Sequence, residues 1–123
     1  MPKATTGDAT ATFFEKLAKA GHEPILARTS GTLRVELKNG RRTEYWFVTV
    51  DKGDVAVSHA NDEADAVVRT DKALFDGMAT GRVNATTAIL RGVLDAEGDL
   101  GLVMSFQRLF PAPPKSVYAR KIR

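Results

Sequence analysis

Residues 100–110 carry Leu100, Leu102, Val103, Met104, Phe106, Leu109 and Phe110, with only Ser105, Gln107 and Arg108 polar. Gly98-Asp99 opens this run and Pro111 ends it, so it reads as a helix. A surface helix needs one apolar stripe. A helix that is apolar on nearly every side must be covered on several sides, or must face something apolar that is not protein. The chain therefore has to fold around this segment, either by burying it in a core or by setting it against a cavity of lipid size. Which of the two holds decides the function.

The rest of the chain supplies what covers it. Asp8 caps a first helix with Phe13, Phe14, Leu17 and Ala20 on its inner face, and Gly21 stops it. From Gly31 the period changes to two: Leu33, Val35 and Leu37 alternate with Arg34 and Glu36, as in a half-buried strand. Lys38-Asn39-Gly40 signals a hairpin into a strand over 44–50, with Trp46, Val48 and Val50 on one face and Tyr45, Phe47 and Thr49 on the other. Further strands are expected over 55–58, 64–70 and 92–96. Asp71 caps a helix with Leu74, Phe75 and Met78 inside, and Asn84 caps a shorter one through Ala88, Ile89 and Leu90. This order is α+β, with helices covering one face of a curled sheet.

At 123 residues the chain has room for one domain, 1–123, around one core. No run is long enough to span a bilayer, and the N-terminus lacks an apolar signal core. Zero cysteines exclude disulfides, thiol nucleophiles and cysteine-based metal sites, and fit a cytoplasmic setting. A net charge of +3 without a patterned basic face does not point to nucleic acid. Ser58 and His59 are a fragment of a hydrolase site at most, because no nucleophile-elbow motif surrounds any serine. Asp62, Glu63 and Asp65 lack the spacing of a calcium loop, and no phosphate cradle or dinucleotide fingerprint is present. No catalytic residue, metal site or cofactor is therefore expected. The basic groups Arg41, Arg42, Lys115, Arg120, Lys121 and Arg123 are most simply a solvated face. The sharper reading has these groups docking on an anionic membrane or an acidic partner, with the Pro-rich basic tail, 111–123, touching the membrane transiently. On spacing alone the large apolar residues are plain core, since interiors normally pack without voids.

Several short motifs, taken in order, carry a resemblance. They are Gly31-Thr32-Leu33, Tyr45-Trp46-Phe47-Val48, Ala64-Asp65-Ala66-Val67-Val68 and Ala79-Thr80-Gly81-Arg82-Val83-Asn84. Ala88-Ile89-Leu90-Arg91-Gly92, Gly98-Asp99-Leu100-Gly101-Leu102 and Ser105-Phe106-Gln107-Arg108-Leu109 follow. Together, over about 31–110, they resemble the sterol carrier protein-2 (SCP2) family in a bacterial single-domain form. The resemblance implies a five-stranded, mostly antiparallel curled sheet with helices on one face and a hydrophobic tunnel between the layers. It implies a non-enzymatic carrier for a fatty acid, acyl-CoA, phospholipid or sterol. By position it places Trp46 and Val48 on a strand bordering the tunnel and Phe75, Met78 and Ile89 on the crossover helices. Val103, Met104, Phe106, Gln107 and Phe110 fall on the closing segment. Gln107, an amide among apolar neighbours, needs a partner: a ligand oxygen or nearby backbone. The alternative is an accessory or protein-interaction domain with a filled interior, using Tyr45 and Phe47 or the tail. The chain ends Lys121-Ile122-Arg123, which is no peroxisomal address, so the expected setting is cytoplasmic. Monomer and homodimer are both left open.

Overall fold

The computed structural model describes residues 8–111; the basic part of the tail lies outside the described residues. Helix α1 (Ala9–Ala20) starts where the Asp8 carboxylate accepts from the Ala11 N–H at 2.9 Å, and it stops at Gly21. Its inner face carries Thr10, Phe14 and Leu17, all buried. A short 3-10 turn (Pro24–Leu26) leads into β1 (Ser30–Asn39). The chain reverses through Gly40 and Arg41 into β2 (Arg42–Asp51), paired antiparallel with β1 from Ser30↔Asp51 to Asn39↔Arg42. Alternation settles which face turns inward. Leu33, Val35, Leu37, Trp46, Val48 and Val50 are all buried, each worth about 1.5–3 kcal/mol relative to exposure.

Lys52 and Gly53 both take positive φ (51° and 93°) in the two-residue turn to β3 (Asp54–Ser58), the geometry that matches strand twist. β4 (Ala66–Asp71) runs parallel to β1, and β5 (Asp95–Gly98) runs antiparallel to β4. The sheet order is β3-β2-β1-β4-β5, mixed and not closed, with three of four pairings antiparallel. Helices α2 (Lys72–Ala79), α3 (Ala85–Leu90) and α4 (Leu100–Gln107) join α1 over the inner face. α1 packs on α2 and β3, while α2 and α4 both pack on β1 and β4. Among the described residues no helix is long and apolar enough to cross a membrane.

The structure revises four expectations. The fifth strand is Asp95–Gly98, not 92–96, because Gly92 sits at φ 75° in the turn that ends α3 and pairing with β4 begins only at Arg69↔Asp95. The fourth begins at Ala66, since Asp65 is taken up by Thr32: its N–H donates to Thr32 O and its carboxylate accepts from the Thr32 N–H at 2.9 Å. Asp71 stands at the N-cap of α2, but its side chain makes no capping bond. Finally, α4 is not covered all round. Leu102, Val103 and Phe106 are buried, whereas Leu100 and Met104 are 56% and 38% exposed, and the helix ends at Gln107 before the turn that carries Leu109 and Phe110.

Candidate functional site

Between the inner sheet face and the helices lies a small apolar space of about 10 Å³, bounded by Val68, Phe75, Met78, Ile89, Leu94, Val103, Phe106, Gln107 and Phe110. Seven of the ten residues expected at a ligand site, namely Phe75, Met78, Ile89, Val103, Phe106, Gln107 and Phe110, thus meet around one point. Sequence reasoning missed Val68 and Leu94. Val68 belongs to the alternating inner face of β4, a signal that was available; Leu94 stood in a strand placed too early in the chain.

Aromatic rings fill the region. Trp46 stacks on Phe14 (4.4 Å between centroids, 12° between planes), and Phe14 stacks on Phe75 (5.4 Å, 12°). Phe110 meets Phe75 edge-on at 5.3 Å and Phe106 at 5.7 Å. A void of about 10 Å³ holds about one water and no acyl chain, so the interior is closed in this conformation. A larger concavity lies elsewhere among the described residues. It is a groove of about 530 Å³ along α1, bounded by Phe13, Lys16, Leu17, Ala79, Thr80, Leu109 and Pro111 among others.

Three expected residues do not border the interior space. Trp46 and Val48 are buried on β2, with Phe14 between Trp46 and Phe75. Met104 points outward on α4 because it is two positions from both Leu102 and Phe106, which face in; that offset puts it on the opposite side of a helix. The Gln107 carbonyl is bonded by a side chain: the Thr86 hydroxyl on α3 donates to Oε1 at 2.7 Å, tying α3 to α4. Among the described residues, Trp46 Nε1 is the one buried side-chain polar atom without a hydrogen-bond partner.

The remaining polar groups serve structure. His59 Nδ1 donates to Tyr45 O at 2.9 Å and its ring lies 4.2 Å from Trp46, while Ser58 Oγ accepts from the Ala60 N–H. Neither residue engages the other as nucleophile and base would. Asp62 O accepts from Arg34 Nη1, and Asp65 is committed to Thr32, so the acidic turn is used for strand attachment. At the start of α1, Lys72 Nζ pairs with Asp8 (3.0 Å) and Asp76 (3.2 Å). Burial pushes the Asp8 carboxyl up, but the Ala11 N–H and the Lys72 ammonium outweigh it and hold Asp8 below the usual carboxylate value. Burial likewise pulls Lys72 down, and its bonds to Asp8 and Asp76 carry it above the ordinary lysine value.

An open α+β sheet roofed by short helices around an apolar interior defines the class. The chain belongs to the SCP-2 sterol transfer family, whose model matches residues 12–111. It is 28% identical over 98 residues to hydroxysteroid dehydrogenase-like protein 2 of Xenopus laevis, covering 78% of this chain and 23% of that protein. Over 106 residues it is 29% identical to sterol carrier protein 2 of Gallus gallus, covering 83% of this chain and 19% of that one. The chain thus spans less than a quarter of the length of these curated relatives. In fold it is similar to palmitated SCP2L2 from Aedes aegypti, with a TM-score of 0.68 at 15% identity over 85% of this chain and 97% of the other.

Proposed function

We propose that this protein is a non-enzymatic carrier that takes a long apolar chain, a fatty acyl group or sterol, into the space between sheet and helices. The observation that carries the reading is the lining itself: apart from Gln107 it is wholly apolar, and it is assembled from β4, α2, α3, the connection into β5, α4 and the turn after α4. Each methylene moved there from water contributes about 0.8 kcal/mol. Membership of a sterol transfer family supports the same reading, as does the palmitated state of a fold neighbour. A cytoplasmic setting and transient contact of the basic tail with anionic membrane belong to this proposal.

A second reading, an accessory domain with a filled interior, is favoured by one observation: the space is only about 10 Å³. Organic extraction and mass spectrometry of the purified protein, followed by oleate titration, separate the two. The carrier reading expects a stoichiometric lipid or saturable oleate uptake, lost in Ile89→Glu, which places a carboxylate in the lining, and kept in Met104→Glu, which faces solvent. Wild-type protein that is empty and takes up no oleate would establish the filled domain instead.

A further inference from the structure

We infer that the stacked pair Phe13–Phe110 is the door through which a ligand chain passes from the α1 groove into the interior; this rests on the carrier reading above. The two concavities differ sharply in size. The groove, at about 530 Å³, lies within the roughly 300–1,000 Å³ of small-molecule sites, whereas the interior space is about 10 Å³. What separates them is one layer of rings. Phe13 borders the groove, and its ring lies flat on Phe110 at 4.5 Å with 2° between planes. The same ring meets Phe75 edge-on at 5.8 Å and Phe106 at 6.1 Å. Phe75, Phe106 and Phe110 all border the interior, so Phe13 has the groove on one side and the interior's own wall on the other.

The pair is also placed to move. Phe13 and Phe110 are only partly buried, while Phe14 and Phe75 beside them are 0% and 1% exposed. Phe110 stands beyond the last residue of α4. It is held there by an N–H bond to Gln107 O at 3.2 Å, so its ring can leave without breaking a helical turn. Phe13 projects from α1 next to the fully buried Phe14, which anchors the helix while the neighbouring ring turns. Aromatic pairs of this kind contribute enough to keep a door shut and too little to seal it. A chain resting along α1 against Leu17 and Leu109 would enter by displacing Phe110 from Phe13. The groove, in which Phe13, Leu17 and Leu109 lie beside Thr12, Lys16, Glu23 and Thr80, is then the ligand's first resting place.

Stopped-flow binding of cis-parinaric acid, an apolar polyene that accepts energy from the single Trp46, tests this in wild type, Phe13→Ala and the milder Phe13→Leu. Loss of the door speeds passage in both directions. Association and dissociation rate constants are expected to rise about tenfold together, leaving Kd within about threefold of wild type. Rates unchanged in a folded variant would overturn the door. So would faster dissociation alone with a weakened Kd, which would make Phe13 a contact wall. Wild-type protein that fails to bind the probe at all would sink the carrier reading from which the door follows.

Discussion

Single residues carry some of the firmest commitments of this fold, and Gly98 is the clearest. It sits at φ 87°, and a Cβ there would collide with the Asp65 carbonyl oxygen, which accepts the Asp99 N–H at 2.9 Å. The close approach lets β5 pair with β4 at Ala66↔Gly98 while the chain turns at once into α4. Gly98→Ala should therefore cost about 2–4 kcal/mol, a drop in thermal midpoint on the order of 10 °C. Gly92 has a similar φ, 75°, but nothing within 4 Å of its would-be Cβ, so Gly92→Ala should cost only about 1 kcal/mol. Equal losses in calorimetry would refute the collision as the reason. That Gly98-Asp99 opens the last helix was legible in the chain, because the signal is local: Asp99 accepts the Leu102 N–H at 3.1 Å. The partner that demands glycine there, Asp65, was not legible, since nothing in either segment announces their contact.

At the level of elements, legibility followed sequence range. The β1–β2 hairpin was readable because period two and a two-residue turn both act locally. The tie between α1 and α2 was only half readable: Asp8 as cap was visible, but not that Asp76 would accept the Thr10 N–H (3.0 Å) and hydroxyl (2.6 Å) from 66 positions away. Lys72 sits between the two carboxylates, and its charge makes the tie depend on pH. Asp8 is held below its ordinary value, so its contribution is complete above about pH 4 and is lost as pH falls through that lowered value. Lys72 is held above its ordinary value, so its contribution is complete below about pH 10 and is lost as pH rises through the raised one. Replacing Lys72 by Met removes the charge that serves both. Neutral stability should fall on the order of 2 kcal/mol, and the acid limb of stability should flatten between about pH 5 and 2. Urea midpoints across that range check it; an acid slope as steep as wild type would show that Asp8 gains nothing from Lys72.

For the whole molecule, sequence reasoning found most of the interior lining but not whether that interior is open. The residues that converge there come from six segments, and all but Val68 and Leu94 follow from pattern and resemblance. How closely Phe75, Phe106 and Phe110 interlock is a property of assembled rings, which no periodicity encodes. On the carrier reading, the same three rings place stability and ligand uptake in opposition. A packed interior favours the folded state, yet a ligand must first populate an opened one, and its apparent affinity falls by the fraction of molecules that are open. A variant that loosens the packing should therefore lower stability and raise affinity together. Phe106→Leu is suited to this, because Phe106 is 5% exposed, borders the interior space and touches Phe13 and Phe110. It should cost about 1–2 kcal/mol in urea unfolding while tightening oleate binding about threefold to tenfold in titration calorimetry. Were the interior permanently filled, the same substitution would lower the urea midpoint and leave oleate unbound. Were it already open in solution, affinity would fall with the lost ring contacts. Only the closed but openable carrier gives the two changes opposite signs.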